Sequence, residues 1–145
     1  MTSAEARRRF AAAPVARLAT ADASGVPHIV PIVFAVAGDT IYSAVDDKPK
    51  TTPRLRRLSN VRANPAVALL ADQYDDDWRR LWWARADGTG RVLEPGEAEA
   101  AGAIALLAER YRHYRTQPPR GPVLAVHVHR WSGWAARQPD AVDPM

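Results

Sequence analysis

Two short turns constrain this chain more than any other feature of its sequence. Residues 22–25 read Asp-Ala-Ser-Gly and residues 38–39 read Gly-Asp, and around them run three stretches rich in β-branched and apolar residues. Connections this short join only antiparallel neighbours, because a parallel crossover needs a dozen or more residues. The spacing therefore predicts three consecutive antiparallel strands over residues 15–20, 26–36 and 40–45. The middle one contains Pro27 and Pro31. Neither proline can donate to a ladder, so that strand belongs at an edge, at a bulge or beside a ligand.

A basic segment follows these strands. Lys48, Lys50, Arg54, Arg56, Arg57 and Arg62 stand in it with no acidic residue before Ala71, although the whole chain nets only +4. Thr52 and Pro53 suit the N-cap and first helical position, and Leu55, Leu58 and Val61 recur at helical spacing. A helix is predicted from there to Asn64-Pro65. Its positive end, with Lys48 and Lys50 just upstream and the hydroxyls of Thr51 and Thr52, would suit a phosphate. A solvated basic helix is the plainer reading of such a run. Its place between two strand-like runs favours the anion-binding one.

Elsewhere the signals are local. Thr2 with Glu5 fits a capping box for a first helix stopped by Pro14. Residues 66–71 read as a buried strand and residues 73–80 as a charged loop. Residues 81–95 read as a bent or bulged strand with Gly88 and Gly90. A helix is predicted from residue 95 to about 114, with Ile104, Leu107, Ala108 and Tyr111 as its apolar stripe. A linker at 116–122 leads to a final strand. About six strands joined mainly by short turns, with three helices, predict a mainly β (α+β) chain built as a six-stranded antiparallel split β-barrel rather than a doubly wound sheet. A single domain is expected over 1–137, with residues 138–145 as a mobile tail.

Composition narrows the function. At 145 residues the chain makes one core. It has no cysteine, so disulfides and thiol chemistry are excluded. No signal-like or membrane-length apolar run is evident, and a cytoplasmic protein is expected. The pI near 10.0 raises nucleic acid as a partner. The acidic group Asp72, Asp75, Asp76 and Asp77 opposes it. His127 and His129 share a strand face without an evident third ligand, so no metal site is expected. His28 could line a pocket, though a lone strand histidine is more often structural. No G-x-S-x-G, dinucleotide or Walker pattern occurs. Five tryptophans stand in two clusters, at 78–83 and 131–134. A phosphate corner, a proline-bearing strand and nearby indoles together would hold a phosphorylated planar cofactor, which would carry the chemistry itself.

The turn and strand GVPHIVPIVFAV, the strand TIYSAV, the loop DDKPK, the helix RLRRLSNVRANP and the strand AVALLA, in that order, resemble the pyridoxamine 5'-phosphate oxidase-like split β-barrel superfamily. The segment WRRLWWARADGTGRV is most similar to its branch that uses the deazaflavin coenzyme F420. The resemblance implies a homodimer with cofactor at the subunit interface. The cofactor phosphate would lie against Lys48, Lys50, Thr51, Thr52 and Arg54 or Arg57. The ring would lie along Pro31, Ile32 and Val33 beside Ser43 and Ala44, and the loop bearing Trp78 would approach from one subunit. Flavin-binding members usually carry Ser-Arg-Lys where this chain has Lys-Pro-Lys, a departure that weakens the expectation of FMN. The expectation is a reductase passing hydride from reduced coenzyme F420 to an unsaturated small-molecule substrate. The alternatives are an FMN-dependent oxidoreductase and a non-catalytic F420-binding or sequestering protein.

Overall fold

A computed structural model describes residues 1–45 and 55–136. The first helix, α1 (Ser3–Ala12), starts as expected: Thr2 accepts from the Glu5 amide, and Ala6 and Phe10 are buried one turn apart. Seven strands follow: β1 (Ala16–Ala21), β2 (Pro27–Ile32), β3 (Ala35–Ala37), β4 (Thr40–Ala44), β5 (Ala66–Gln73), β6 (Trp82–Leu93) and β7 (Val123–Ala135). Helix α2 (Arg56–Ala63) lies between β4 and β5, a 3-10 turn (Trp78–Arg80) precedes β6, and α3 (Ala98–Arg110) and α4 (Arg112–Thr116) precede β7.

The strands make one sheet in the order β2-β1-β5-β6-β7-β4-β3, with every adjacent pair antiparallel. Among the described residues the expected count of six is therefore corrected to seven, and the ladder is not closed. The run at 26–36 divides because β1 begins at Ala16, which already pairs with Ile32. The chain then leaves that edge and joins the opposite one, where Ala35 pairs with Tyr42. Three Cα steps span at most about 11 Å, so the two edges of the sheet lie close together. The sheet is rolled into an open barrel whose split is crossed by Val33 and Phe34. Pro27 and Pro31 sit on the edge strand, where a missing amide costs no ladder bond.

β6 and β7 run through both halves of the barrel and shift register between Asp87 and Gly88. Gly88 is required there, because a β-carbon would overlap the His127 carbonyl. One core fills the barrel beneath α1, where the Phe10 ring lies 4.8 Å from Phe34 and 5.4 Å from Trp131. A second lies under α3, where Ala100, Ala103 and Leu107 meet Ala35, Ala44 and Val123.

Three further expectations change. α2 begins at Arg56, not at residue 53, because Leu55 is an extended N-cap without a side-chain cap; Thr52 and Pro53 lie outside the described residues. The predicted helix at 95–114 breaks at Tyr111, whose backbone is extended. The tail at 138–145 also lies outside the described residues.

Candidate functional site

The crossover at the split is held by side chains, since its backbone has no ladder partner. The Phe34 amide donates to the Tyr111 hydroxyl at 3.2 Å, and that hydroxyl donates to the Phe34 carbonyl at 3.0 Å. Arg110 donates to the same carbonyl at 2.7 Å and also to Ala13, with its guanidinium over the Phe34 ring. The buried Ser43 hydroxyl donates to the Val33 carbonyl at 2.9 Å. This fixes the backbone beside a cavity of about 390 Å³ lined by Val15, Pro31, Ile32, Val33, Ser43, Ala44, Val45, Leu55, Arg57 and Tyr114.

Six residues expected at a cofactor site therefore share one cavity: Pro31, Ile32, Val33, Ser43, Ala44 and Arg57. A second hollow of about 660 Å³ shares Leu55 and Arg57 with it and adds Asp22, His28, Val30, Arg56, Ser59 and Asn60. The two hollows adjoin at Leu55 and Arg57; the pair, the groove, has mainly apolar side chains at the crossover end and mainly polar ones beside α2. The α2 N-terminus borders it, and among the described residues no side chain caps its amides. That positive end, with Arg56 and Arg57, suits an anion. α2 is seated by buried Leu58 and Val61 and by Asn60, which donates to Thr20 at 3.0 Å in the interior. His28 turns inward with Val30 and Ile32, and its Nδ1 is buried without a hydrogen-bond partner among the described residues.

His28, Arg56, Asn60 and Tyr114 join the site beyond the expected set. The alternation of His28 with Val30 and Ile32 was the available signal. Lys48, Lys50, Thr51, Thr52 and Arg54 lie outside the described residues. Trp78 is 67% exposed on its 3-10 turn, where Asp77 accepts from Arg79. It does not line the described part of the groove in its own chain. Of the other four indoles, Trp131 is in the core, Trp82 and Trp83 lie under Arg9 and Arg85, and Trp134 is exposed.

A polar network outside the groove lining joins β4, β6 and α3. The Tyr42 hydroxyl donates to Glu99 at 2.7 Å, and Arg91 donates to both Glu99 oxygens. Burial, then Glu99, pushes the Tyr42 phenol up from its ordinary value. The hydrogen bond from Arg91, then that from Tyr42, holds the Glu99 carboxyl down. Among the described residues no helix is long and apolar enough to cross a membrane.

These elements define a mainly antiparallel, open split-barrel class of fold with a groove at its split. Within that class the chain belongs to the pyridoxamine 5'-phosphate oxidase family, whose sequence pattern matches residues 2–135. Among curated proteins none matches the sequence at a significant level. The structure is similar to a FAD-binding protein from Mesorhizobium loti, with 21% identity, TM-score 0.71, and 92% of this chain and 94% of that one covered. It is also similar to HutZ, the heme storage protein of Vibrio cholerae, with 15% identity, TM-score 0.71 and coverage of 93% and 95%. A protein described as a candidate 5-nitroimidazole antibiotic resistance protein from Bacteroides thetaiotaomicron matches with 17% identity, TM-score 0.70 and coverage of 91% and 82%. At these identities the likeness is one of fold.

Proposed function

We propose that the protein is an oxidoreductase that uses reduced coenzyme F420 to reduce an electron-poor double bond or carbonyl in a small molecule. The observation that carries this reading is the groove itself. It brings Pro31 and Ile32 at the end of β2 and Val33 of the crossover together with Ser43 and Ala44, with Arg57 and the N-terminal end of α2 beside them. A planar ring suits the apolar end and an anionic tail suits the polar end. When bound, the deazaflavin supplies the hydride. The chain's own residues would hold ring and acceptor in contact and exclude water, with Arg56, Arg57, Lys48 and Lys50 neutralising the tail. Arg62 is paired with Glu94 at 2.8 Å, but the five cations of residues 48–57 still exceed what one phosphate requires, and coenzyme F420 carries carboxylates beyond its phosphate.

We further propose a homodimer. Ile29 and Leu70 are exposed on the outer face of β2 and β5, and Pro31 on the same face adjoins the groove. A second copy there would cover that face and bring its Trp78 loop toward the site. The similarity to a FAD-binding protein favours FMN as the second reading. The heme-storage neighbour shows that this fold also serves proteins that hold a ligand, in keeping with a non-catalytic binder.

The test is turnover. Purified protein is given reduced coenzyme F420 or reduced FMN with a panel of quinones, enones and nitroaromatics, and cofactor oxidation is followed anaerobically. Oxidation with coenzyme F420 that matches product formation is the expected result. Turnover with FMN alone would move the protein to the flavin branch, and binding without turnover on any acceptor would make it a carrier.

A further inference from the structure

We propose that His127 and His129 chelate a divalent transition-metal cation, such as Cu2+ or Ni2+, at a surface site separate from the groove. The groove residues Ser43 and Ala44 pair with Leu124 and Val123, whereas His127 pairs with Thr40 at the far end of β4. Where β6 and β7 shift register, Asp87 pairs with Arg130 and Gly88 with Val128. That leaves His129 as the extra residue of a bulge, a device that re-aims side chains.

Both histidines are exposed, and their ring centroids are 5.1 Å apart. An imidazole nitrogen about 2.0–2.1 Å from a cation puts its ring centroid about 3.2 Å from it. Two such rings would then have centroids about 4.5 Å apart at a right angle and about 5.2 Å apart at the tetrahedral angle. The observed separation falls within that interval. His129 Nε2 lies 2.7 Å from the Thr89 hydroxyl. With Nε2–H donated there, Nδ1 keeps its lone pair free, which is the outer-shell arrangement that orients metal-binding imidazoles. Thr89 also pairs with His127 in the ladder.

Among the described residues no group of three or more His, Cys, Asp or Glu is placed to hold a metal. The site therefore has two protein ligands with water in the other positions, a set that suits tetragonal Cu2+ or Ni2+ better than a closed structural zinc site.

The experiment is a Cu2+ titration of the untagged chain by calorimetry and electron paramagnetic resonance. One ion per chain with a two-nitrogen hyperfine pattern is expected. His127→Ala and His129→Ala should each weaken binding about ten-fold or more, and Thr89→Val should weaken it less. His113→Ala, at another exposed histidine, should leave binding unchanged. Unchanged melting temperatures in these exposed variants would confirm an intact fold. No saturable binding by the wild type, binding that survives in the double variant, or equal loss in His113→Ala would overturn the proposal.

Discussion

Tyr111→Phe tests how the barrel split is held. The change keeps the ring, which lies 6.1 Å edge-on to Tyr114, and removes only the hydroxyl. Phe34 is fully buried, and its amide loses its acceptor; its carbonyl keeps Arg110 at 2.7 Å. The Pro14 carbonyl, 3.3 Å from the same hydroxyl in an exposed position, can turn to water. One buried donor is left unsatisfied, which costs about 1–3 kcal/mol. For a chain near this size each kcal/mol lowers the melting temperature by about 2–4 °C. Urea unfolding of wild type and variant at equal protein concentration measures the difference, and an unchanged m-value would show that the unfolded states are comparable. A loss below about 0.5 kcal/mol would refute the claim that Tyr111 secures the crossover.

Three other outcomes are expected. Gly88→Ala should destabilise by about 3 kcal/mol or prevent folding, since its β-carbon would meet backbone at the bulge; thermal melts and soluble yield check this. Glu99 has a native pKa held below its ordinary 4.5, so its stabilisation is full above that value and is lost as pH falls through the lower native one. The stability difference between wild type and Glu99→Gln, read from urea midpoints, should therefore shrink in acid. Tyr42 is raised above its ordinary 10.0, so the same network also weakens as pH rises past that value. Ile29→Glu, on a side chain 66% exposed in one chain, should turn the proposed dimer into a monomer of unchanged secondary structure, as measured by light scattering and circular dichroism.

Much of the architecture was legible because its signals were local. Thr2 capped its helix, the turns at 22–25 and 38–39 made hairpins, and the prolines marked an edge. What was not legible depended on distant partners. Nothing in the apolar run at 26–36 shows that β1 stops pairing at Ala16, so the split and the seventh strand were hidden. The helical stripe through Tyr111 gave no hint that its hydroxyl reaches Phe34, where the chain breaks between α3 and α4. The Thr-Pro pair at 52–53 outweighed Leu55, which the structure leaves extended. Of the residues expected to hold a cofactor, Pro31, Ile32, Val33, Ser43, Ala44 and Arg57 line one cavity. A single inward histidine such as His28 cannot be told from a core residue until α2 is placed opposite it.

The most direct test of the cofactor groove is a tryptophan-fluorescence titration of the apo protein with coenzyme F420 and, separately, with FMN, repeated on Arg57→Ala and Lys50→Ala. Saturable quenching by coenzyme F420, with FMN much weaker, is the predicted result. Each variant should lose about 1.5–3 kcal/mol of affinity, the range for a charge-assisted hydrogen bond. Tighter binding of FMN, no response to either ligand, or variants that bind as the wild type does would contradict the account.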